Sequence, residues 1–241
     1  MNTGEFMAIA PLFASENDAP RPACSTPFRH GDHLFASDGR IALVCSDTGS
    51  VNETEDEMQK HIGNRLINEH IKTCEDNIAC GKYRSFDLGK LREAVCAAFA
   101  NVEPDMMELR MNLPDDDPDE DFEPDSVRHV HSVFTAVIMP NPARSVVAGY
   151  YASLIYGLVH LFGPADAYSD VSDPHDMLYF RGSCWKCVLM PRLAKGRGIS
   201  YEWNYYGGCA IADAITGKLV WGRECSAISP DMDTLRKGAA S

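Results

Sequence analysis

The residues best suited to chemistry in this chain are its thiols and imidazoles, nine cysteines and eight histidines in 241 residues. Cys184 and Cys187 stand as Cys-x-x-Cys, a spacing used in thiol exchange and in half-sites for zinc. A redox pair of this kind works at a helix N-terminus, where the dipole lowers one thiol's pKa. Here Trp185 to Met190 read as a strand, and strand residues three apart point to opposite faces, so ordinary packing is favoured. His61, His70, Cys74 and Cys80 offer four ligands, but gaps of eight, three and five residues are unlike the short knuckles of zinc sites. His61 and His70 would also fall on different helix faces at about 100° per residue. His129 and His131 would share a strand face but lack a third ligand. Ser37 and Asp38, with His30 or His33, have the residue types of a hydrolytic triad, and a turn pair explains them better. There is no Walker loop, dinucleotide glycine fingerprint, Gly-x-Ser-x-Gly elbow or paired-His zinc helix. The expectation is a protein that is not an enzyme, with no metal and no cofactor.

The elements that would position these residues follow from local pattern. His33–Ser37 and Ile41–Cys45 flank Asp38-Gly39-Arg40, a strong hairpin signal because Gly supplies φ > 0 at little cost. Residues 52–73 carry helical spacing at Met58, Ile62, Leu66 and Ile67 behind an acidic start, with a stripe thin enough for a surface helix. A second helix puts Leu88, Leu91, Val95, Ala98 and Phe99 on one face, with Asp87 as its expected cap. Met106 to Leu113 is a candidate strand, and Ser132 to Met139 is a clear one by its β-branched and aromatic content. A long apolar helix is expected from about Ala143 to Phe162, stopped by Gly163-Pro164. Met177–Arg181 and Trp185–Met190 read as two strands, and Ala210–Ile215 with Leu219–Trp221 as a final hairpin. The order implies an α+β protein with mostly antiparallel pairing and a buried long helix. Residues 1–27 read as a loose N-terminal arm, 28–200 as the main domain, and 201–241 as a hairpin extension packed on it.

Charge is unevenly spread. The formal net charge is −13, which argues against a freestanding non-specific DNA binder. Eleven acids and one base, Arg110, lie between Glu103 and Asp125, a local −10 that leaves −5 before it and +2 after it. The core of that segment, Pro114 to Pro124, holds too little apolar surface to fold and is expected to be a solvated loop. Its acidic row, Asp115, Asp116, Asp117, Asp119, Glu120, Asp121 and Glu123, could face a basic partner surface. Downstream, Arg181, Lys186, Arg192, Lys195 and Arg197 form a basic stretch that leaves DNA contact open. The start lacks a basic-then-apolar leader, so a cytoplasmic location with reduced thiols is expected. Val146 to Phe162 has no charged residue over 17 positions, but with two Gly, one Ser, three Tyr and His160 it reads as a buried helix, and no membrane contact is expected.

Two motifs taken together carry a resemblance. Phe35-Ala36-Ser37-Asp38-Gly39-Arg40-Ile41-Ala42-Leu43 resembles the Ala-Thr-Asp-Gly-His-Arg-Leu-Ala hairpin of bacterial sliding clamps, the processivity factors of DNA polymerase, with one residue fewer. Val188-Leu189-Met190-Pro191-Arg192-Leu193 resembles the Val-Val-Met-Pro-Met-Arg-Leu ending of that family, again one residue short. Between them, Val147 to Leu161 with Tyr150-Tyr151-Ala152-Ser153-Leu154 looks like a helix of the family. The same combination is similar to reduced clamp-like proteins of phages and mobile elements. The chain departs from a clamp in being too short for three domains, in the acidic insert, and in continuing past the Met-Pro motif.

The resemblance implies strand–helix–strands units and an apolar pocket that receives short peptides from DNA enzymes. The residues carried over are Ser37, Gly39, Arg40 and Ile41, with Val188, Leu189, Met190, Pro191, Arg192 and Leu193. A Gly turn lets a peptide backbone approach, Met adapts to apolar anchors, and Arg40 and Arg192 could satisfy carboxylates or carbonyls at the rim. Leu189 and Met190 would serve equally as core. Two functions follow as expectations. One is a non-catalytic interaction protein that binds a replication or repair protein or a DNA-associated complex, with self-assembly left open. The other is an acidic inhibitor or DNA mimic that blocks a host nuclease or defence complex.

Overall fold

The computed structural model describes residues 1–14, 24–46, 51–100, 135–191 and 210–222. Chain contacts divide it into two compact units that interleave along the sequence. Unit 1 takes Met1–Asp87, Asn141–Ala143 and Gly157–Met190, and unit 2 takes Leu88–Pro140, Arg144–Tyr156 and Pro191–Ser241. The fold is α+β, as the element order implied.

Unit 1 is built on strands β1 (Phe28–His30), β2 (His33–Ser37), β3 (Ile41–Ser46), β4 (Tyr83–Phe86), β7 (Asp166–Asp170), β8 (Leu178–Arg181) and β9 (Trp185–Leu189). They form a sheet in the order β1-β2-β3-β9-β8-β7-β4, antiparallel at every step. β3 lies mid-sheet and is buried along Ile41 to Cys45, which is why its sequence is a continuous apolar run rather than an alternation. One face carries Phe35, Ala42, Val44, Tyr179 and Val188 under the helical segment 57–79. That segment is α2 (Glu57–His61), a π turn (Ile62–Ile67) and α3 (Asn68–Ala79) in continuous succession. Asp56 caps it, accepting from the backbone N–H of Met58 and Gln59. Phe28 and Phe35 stack beneath the helix with ring centroids 5.3 Å apart.

The first residues correct the expectation of a loose arm. α1 (Thr3–Ile9) starts with a capping box between Asn2 and Glu5, and a 3-10 turn (Ala10–Phe13) follows and packs on β2 and β3. Phe6, Ala10 and Phe13 are fully buried, so a short apolar segment too brief for a visible period is anchored by three side chains. β1, β4 and β7 also escaped the pattern, being short or rich in polar residues.

Unit 2 contains α4 (Leu91–Phe99) and strands β5 (Thr135–Ile138), β6 (Val146–Ala148), β10 (Ala210–Asp213) and β11 (Lys218–Gly222). The sheet order is β11-β10-β5-β6, with β10 parallel to β5 and the other pairs antiparallel. α4 begins four residues after Asp87, with Lys90 and not Asp87 at its N-cap, because Gly89 takes φ 59° and the Lys90 N–H donates to the Ala214 carbonyl. The long helix also starts later than expected: α5 is Gly149–Phe162. Val146 and Val147 instead pair with Ile138 and Val137, as suits β-branched residues, and a side chain at Gly149 would collide with the Thr135 hydroxyl where strand becomes helix. Tyr151, Ala152, Leu154, Ile155 and Leu158 of α5 are buried, and Gly163 ends it at φ 88°. Among the described residues no helix is long and apolar enough to cross a membrane. The Met106–Leu113 strand and the Pro114–Pro124 loop lie outside the described residues.

One ion pair is central to unit 2. Arg144, at φ 57°, places Nη2 2.7 Å from Oδ1 of Asp213, which is fully buried at the end of β10. The Ile215 N–H donates to the same oxygen, so the pair ties the β5–β6 connection to the β10–β11 turn. Arg144 Nε and Nη1 and Asp213 Oδ2 have no hydrogen-bond partner among the described residues. Losing one member of such a pair strands a buried charge, at a cost of about 3–5 kcal/mol, whereas replacing both with apolar groups is often neutral. Denaturant unfolding should therefore show a large loss for Arg144→Met and recovery in Arg144→Met with Asp213→Leu. An Arg144→Met variant as stable as the parent would remove the pair from its central role.

Candidate functional site

The β2–β3 hairpin turn is fixed from within. The Ser37 hydroxyl donates to the Ile41 carbonyl at 2.9 Å and accepts from the Gly39 N–H at 3.0 Å. Asp38 Oδ1 accepts from the N–H groups of Arg40 and Ile41, and Gly39 adopts φ 84°. Ser37 and Asp38 thus brace a turn, and His30 is engaged by Glu53 while His33 lies 6.1 Å from the Phe35 ring, so the triad types are spent on structure. β3 pairs with β9 in the register Ile41↔Leu189 and Ala42↔Val188, and the Met190 N–H donates to the Arg40 carbonyl at 2.8 Å. The two motifs singled out in the sequence are therefore hydrogen-bonded neighbours.

Beside that junction unit 1 holds a largely apolar cavity of about 640 Å³. The hairpin side lines it with Ser37, Gly39, Arg40, Ile41 and Ala42, and the β9 end adds Val188 and Met190. The helical wall supplies Met58, Ile62, Leu66, Ile67 and His70, and Cys24, Asp56 and Met177 complete it. Of the ten pocket candidates, Ser37, Gly39, Arg40, Ile41, Val188 and Met190 are thus gathered around one space. Leu189 is fully buried, pairs with Ile41 and Leu178, and does not line it. Pro191 is buried and also absent from the wall. Arg192 and Leu193, and the acidic row Asp115 to Glu123, lie outside the described residues.

The helical wall was not anticipated as part of a site. In a regular α-helix Leu66, four residues after Ile62, would follow it onto the covered face. The wider π turn advances that face by five residues, so Ile67 is buried at 3% exposure and Leu66 is left 46% exposed at the cavity. Met58 and Met190 are exposed beside it, at 59% and 44%. The adjacent pair Leu66-Ile67 in an otherwise thin stripe was the one available signal. Gly63, within the π turn, lets the helix settle on the Phe28–Phe35 stack: a Cβ there would stand 3.2 Å and 3.4 Å from the two rings.

Among the described residues the remaining thiol and basic candidates resolve into packing and surface pairs, while His129 and His131 lie outside the described residues. Cys187 is fully buried on β9, and burial drives its thiol well above the ordinary range. Cys184 is partly exposed, and both thiols are free. Burial, and after it the Asp176 carboxylate, pushes Cys74 up to about 12, far from thiolate chemistry at neutral pH. Among the described residues no group of three or more His, Cys, Asp or Glu side chains is placed to hold a metal. In the basic stretch Arg181 pairs with Asp166 and Lys186 with Glu75, while Arg192, Lys195 and Arg197 lie outside the described residues. No protein-family model, curated protein or solved structure matches the chain.

Gly63 gives this wall a direct test. Gly63→Val overpacks the contact with both phenyl rings and should cost about 1–3 kcal/mol in denaturant unfolding. Gly63→Ala should cost less, because about 1 kcal/mol of helix propensity offsets the tight contact. Equal stability of Gly63→Val and the parent would show that the helix does not rely on this approach.

Proposed function

We propose that this chain is a non-catalytic interaction protein, of phage or mobile-element type and with a clamp-like plan, that receives a short peptide from a replication or repair protein in the cavity beside the β2–β3 turn. The observation that carries the reading is the convergence of Ser37, Gly39, Arg40, Ile41, Val188 and Met190 on one largely apolar cavity. Its size falls within the range of small-ligand and peptide-anchor pockets. Met58, Leu66 and Met190 leave apolar surface at its mouth, which a covering partner would remove from water. Methionine at two of these positions suits anchors of varied shape. The resemblance to sliding clamps rests on the two motifs, and it is what suggests a partner from DNA metabolism.

Because Met190 and Leu66 are both exposed, a charge at either position tests the groove without touching the core. Met190→Asp and Leu66→Asp should each weaken capture of a replication or repair enzyme by about tenfold or more, equivalent to about 1.4 kcal/mol. Their unfolding midpoints should stay near that of the parent. Undiminished capture by both variants would eliminate the groove reading.

A second reading is favoured by the local charge of −10 between Glu103 and Asp125. On this reading Asp115, Asp116, Asp117, Asp119, Glu120, Asp121 and Glu123 imitate a phosphate row and engage a basic nuclease or defence complex. Removal of residues 114–124 should abolish such binding, which would also fall steeply with salt, and leave peptide capture by the groove unchanged. A deletion that leaves binding to a nucleic-acid-binding complex intact would dismiss the mimic.

A further inference from the structure

We infer that Arg40 determines specificity at the groove by reading a carboxylate, so that the bound peptide joins apolar anchors to an Asp or Glu side chain. The inference rests on the peptide-groove reading above and names the partner's chemistry. Arg40 is the only Arg or Lys among the described residues that line the cavity. Its backbone is held on both sides, the N–H donating to Asp38 Oδ1 at 2.8 Å and the carbonyl accepting from Met190 at 2.8 Å. The side chain therefore starts from a fixed backbone point in the cavity wall, on an exposed residue.

Its surroundings leave its charge available. Lys60, Lys82, Arg181 and Lys186 of the same unit have carboxylate partners at 2.7, 2.8, 3.1 and 2.7 Å, whereas Arg40, like Arg65, Lys72 and Arg84, has none among the described residues, and of these four only Arg40 lines the cavity. No described carboxylate makes an ion pair with Arg40, in a chain whose acids outnumber its bases by 35 to 22. Among the described lining residues the one acid, Asp56, has Oδ1 committed to the N–H groups of Met58 and Gln59 at the helix N-terminus. Beside this cation the wall is dominated by Met, Ile, Leu and Val. An occupant with apolar groups alone would desolvate the guanidinium and return nothing. One with a carboxylate beside its anchors would supply two parallel N–H···O bonds to the guanidinium, the arrangement that Arg favours over Lys.

The test is selection of a random peptide-display library on the full chain and on Arg40→Gln. Peptides enriched on the parent should carry an Asp or Glu within about two positions of an apolar anchor, and that bias should vanish on Arg40→Gln. The strongest peptide, synthesised with its acid replaced by the matching amide, should bind the parent about tenfold more weakly. It should bind Arg40→Gln equally in both forms, and Arg40→Lys should restore only part of the difference. Enrichment without acidic bias, or the same bias on Arg40→Gln, would overturn the inference. Leu66→Asp separates the two levels: if it abolishes peptide binding while Arg40→Gln does not, the groove stands and the carboxylate reading alone falls. If no peptide is enriched, or Leu66→Asp binds as well as the parent, both fall together.

Discussion

The pairing of β3 with β9 is the constraint on which unit 1 depends. It joins Ile41–Cys45 from near the start of the chain to Trp185–Leu189, with the whole of unit 2's first segments encoded between them. Loop closure of that length costs conformational entropy that grows only slowly with the intervening residues, so the bond ladder and the burial on both sheet faces must supply the return. Ile41, Leu43, Cys45, Cys187 and Leu189 are each at most 1% exposed. Every other strand of the sheet extends outward from this central pair, and the turn at residues 38–40 can face the end of β9 only because the register holds.

A second element turns that junction into a cavity instead of a filled core. The segment 57–79 covers the sheet face through Ile62, Ile67, Ile71 and Cys74, and its π turn sets which of two neighbouring apolar residues points inward. Had the helix kept α spacing, Leu66 would compete with Ile67 for the space over Phe28 and Phe35. The π geometry, with Gly63 against the stacked rings, resolves this conflict by burying Ile67 and presenting Leu66. π turns carry a hydrogen-bonding cost and recur at functional sites, in keeping with a local irregularity retained for what it exposes.

Local signals in the sequence were legible where one turn or one period decided the structure. The Asp38-Gly39 turn, the stop at Gly163-Pro164 and the strands around Gly182-Ser183 depend on a few neighbouring residues. What escaped depended on distant partners. Val146–Ala148 continues an apolar run that could propagate as helix, and only its pairing with Val137 and Ile138 makes it a strand. Asp87 has the right type for a cap, yet the bond from Lys90 to Ala214 sets the helix start. α1 is seven residues long, and its burial through Phe6 cannot be read from its own period. At the candidate site the hairpin and the β9 end were legible as motifs, whereas the helical wall was not, because a π turn breaks the spacing by which helix faces are recognised.

The adjacency of Arg40 and Met190 follows from strand register alone and would occur in a wholly structural hairpin. What separates a groove from a core here is the treatment of three apolar side chains. Met58, Leu66 and Met190 each border the same cavity and remain substantially in water, although residues one position away, Ile67 and Leu189, are buried almost completely. Each exposed apolar side chain forgoes about 25 cal/mol for every Å² left uncovered, and a single one is unremarkable on any protein surface. Three around one opening are drawn from two separate stretches of chain and set beside an arginine that has no ion-pair partner among the described residues. On the proposed groove reading, the apolar part would favour coverage, and Arg40, the one Arg or Lys among the described lining residues, would restrict which cover is favourable.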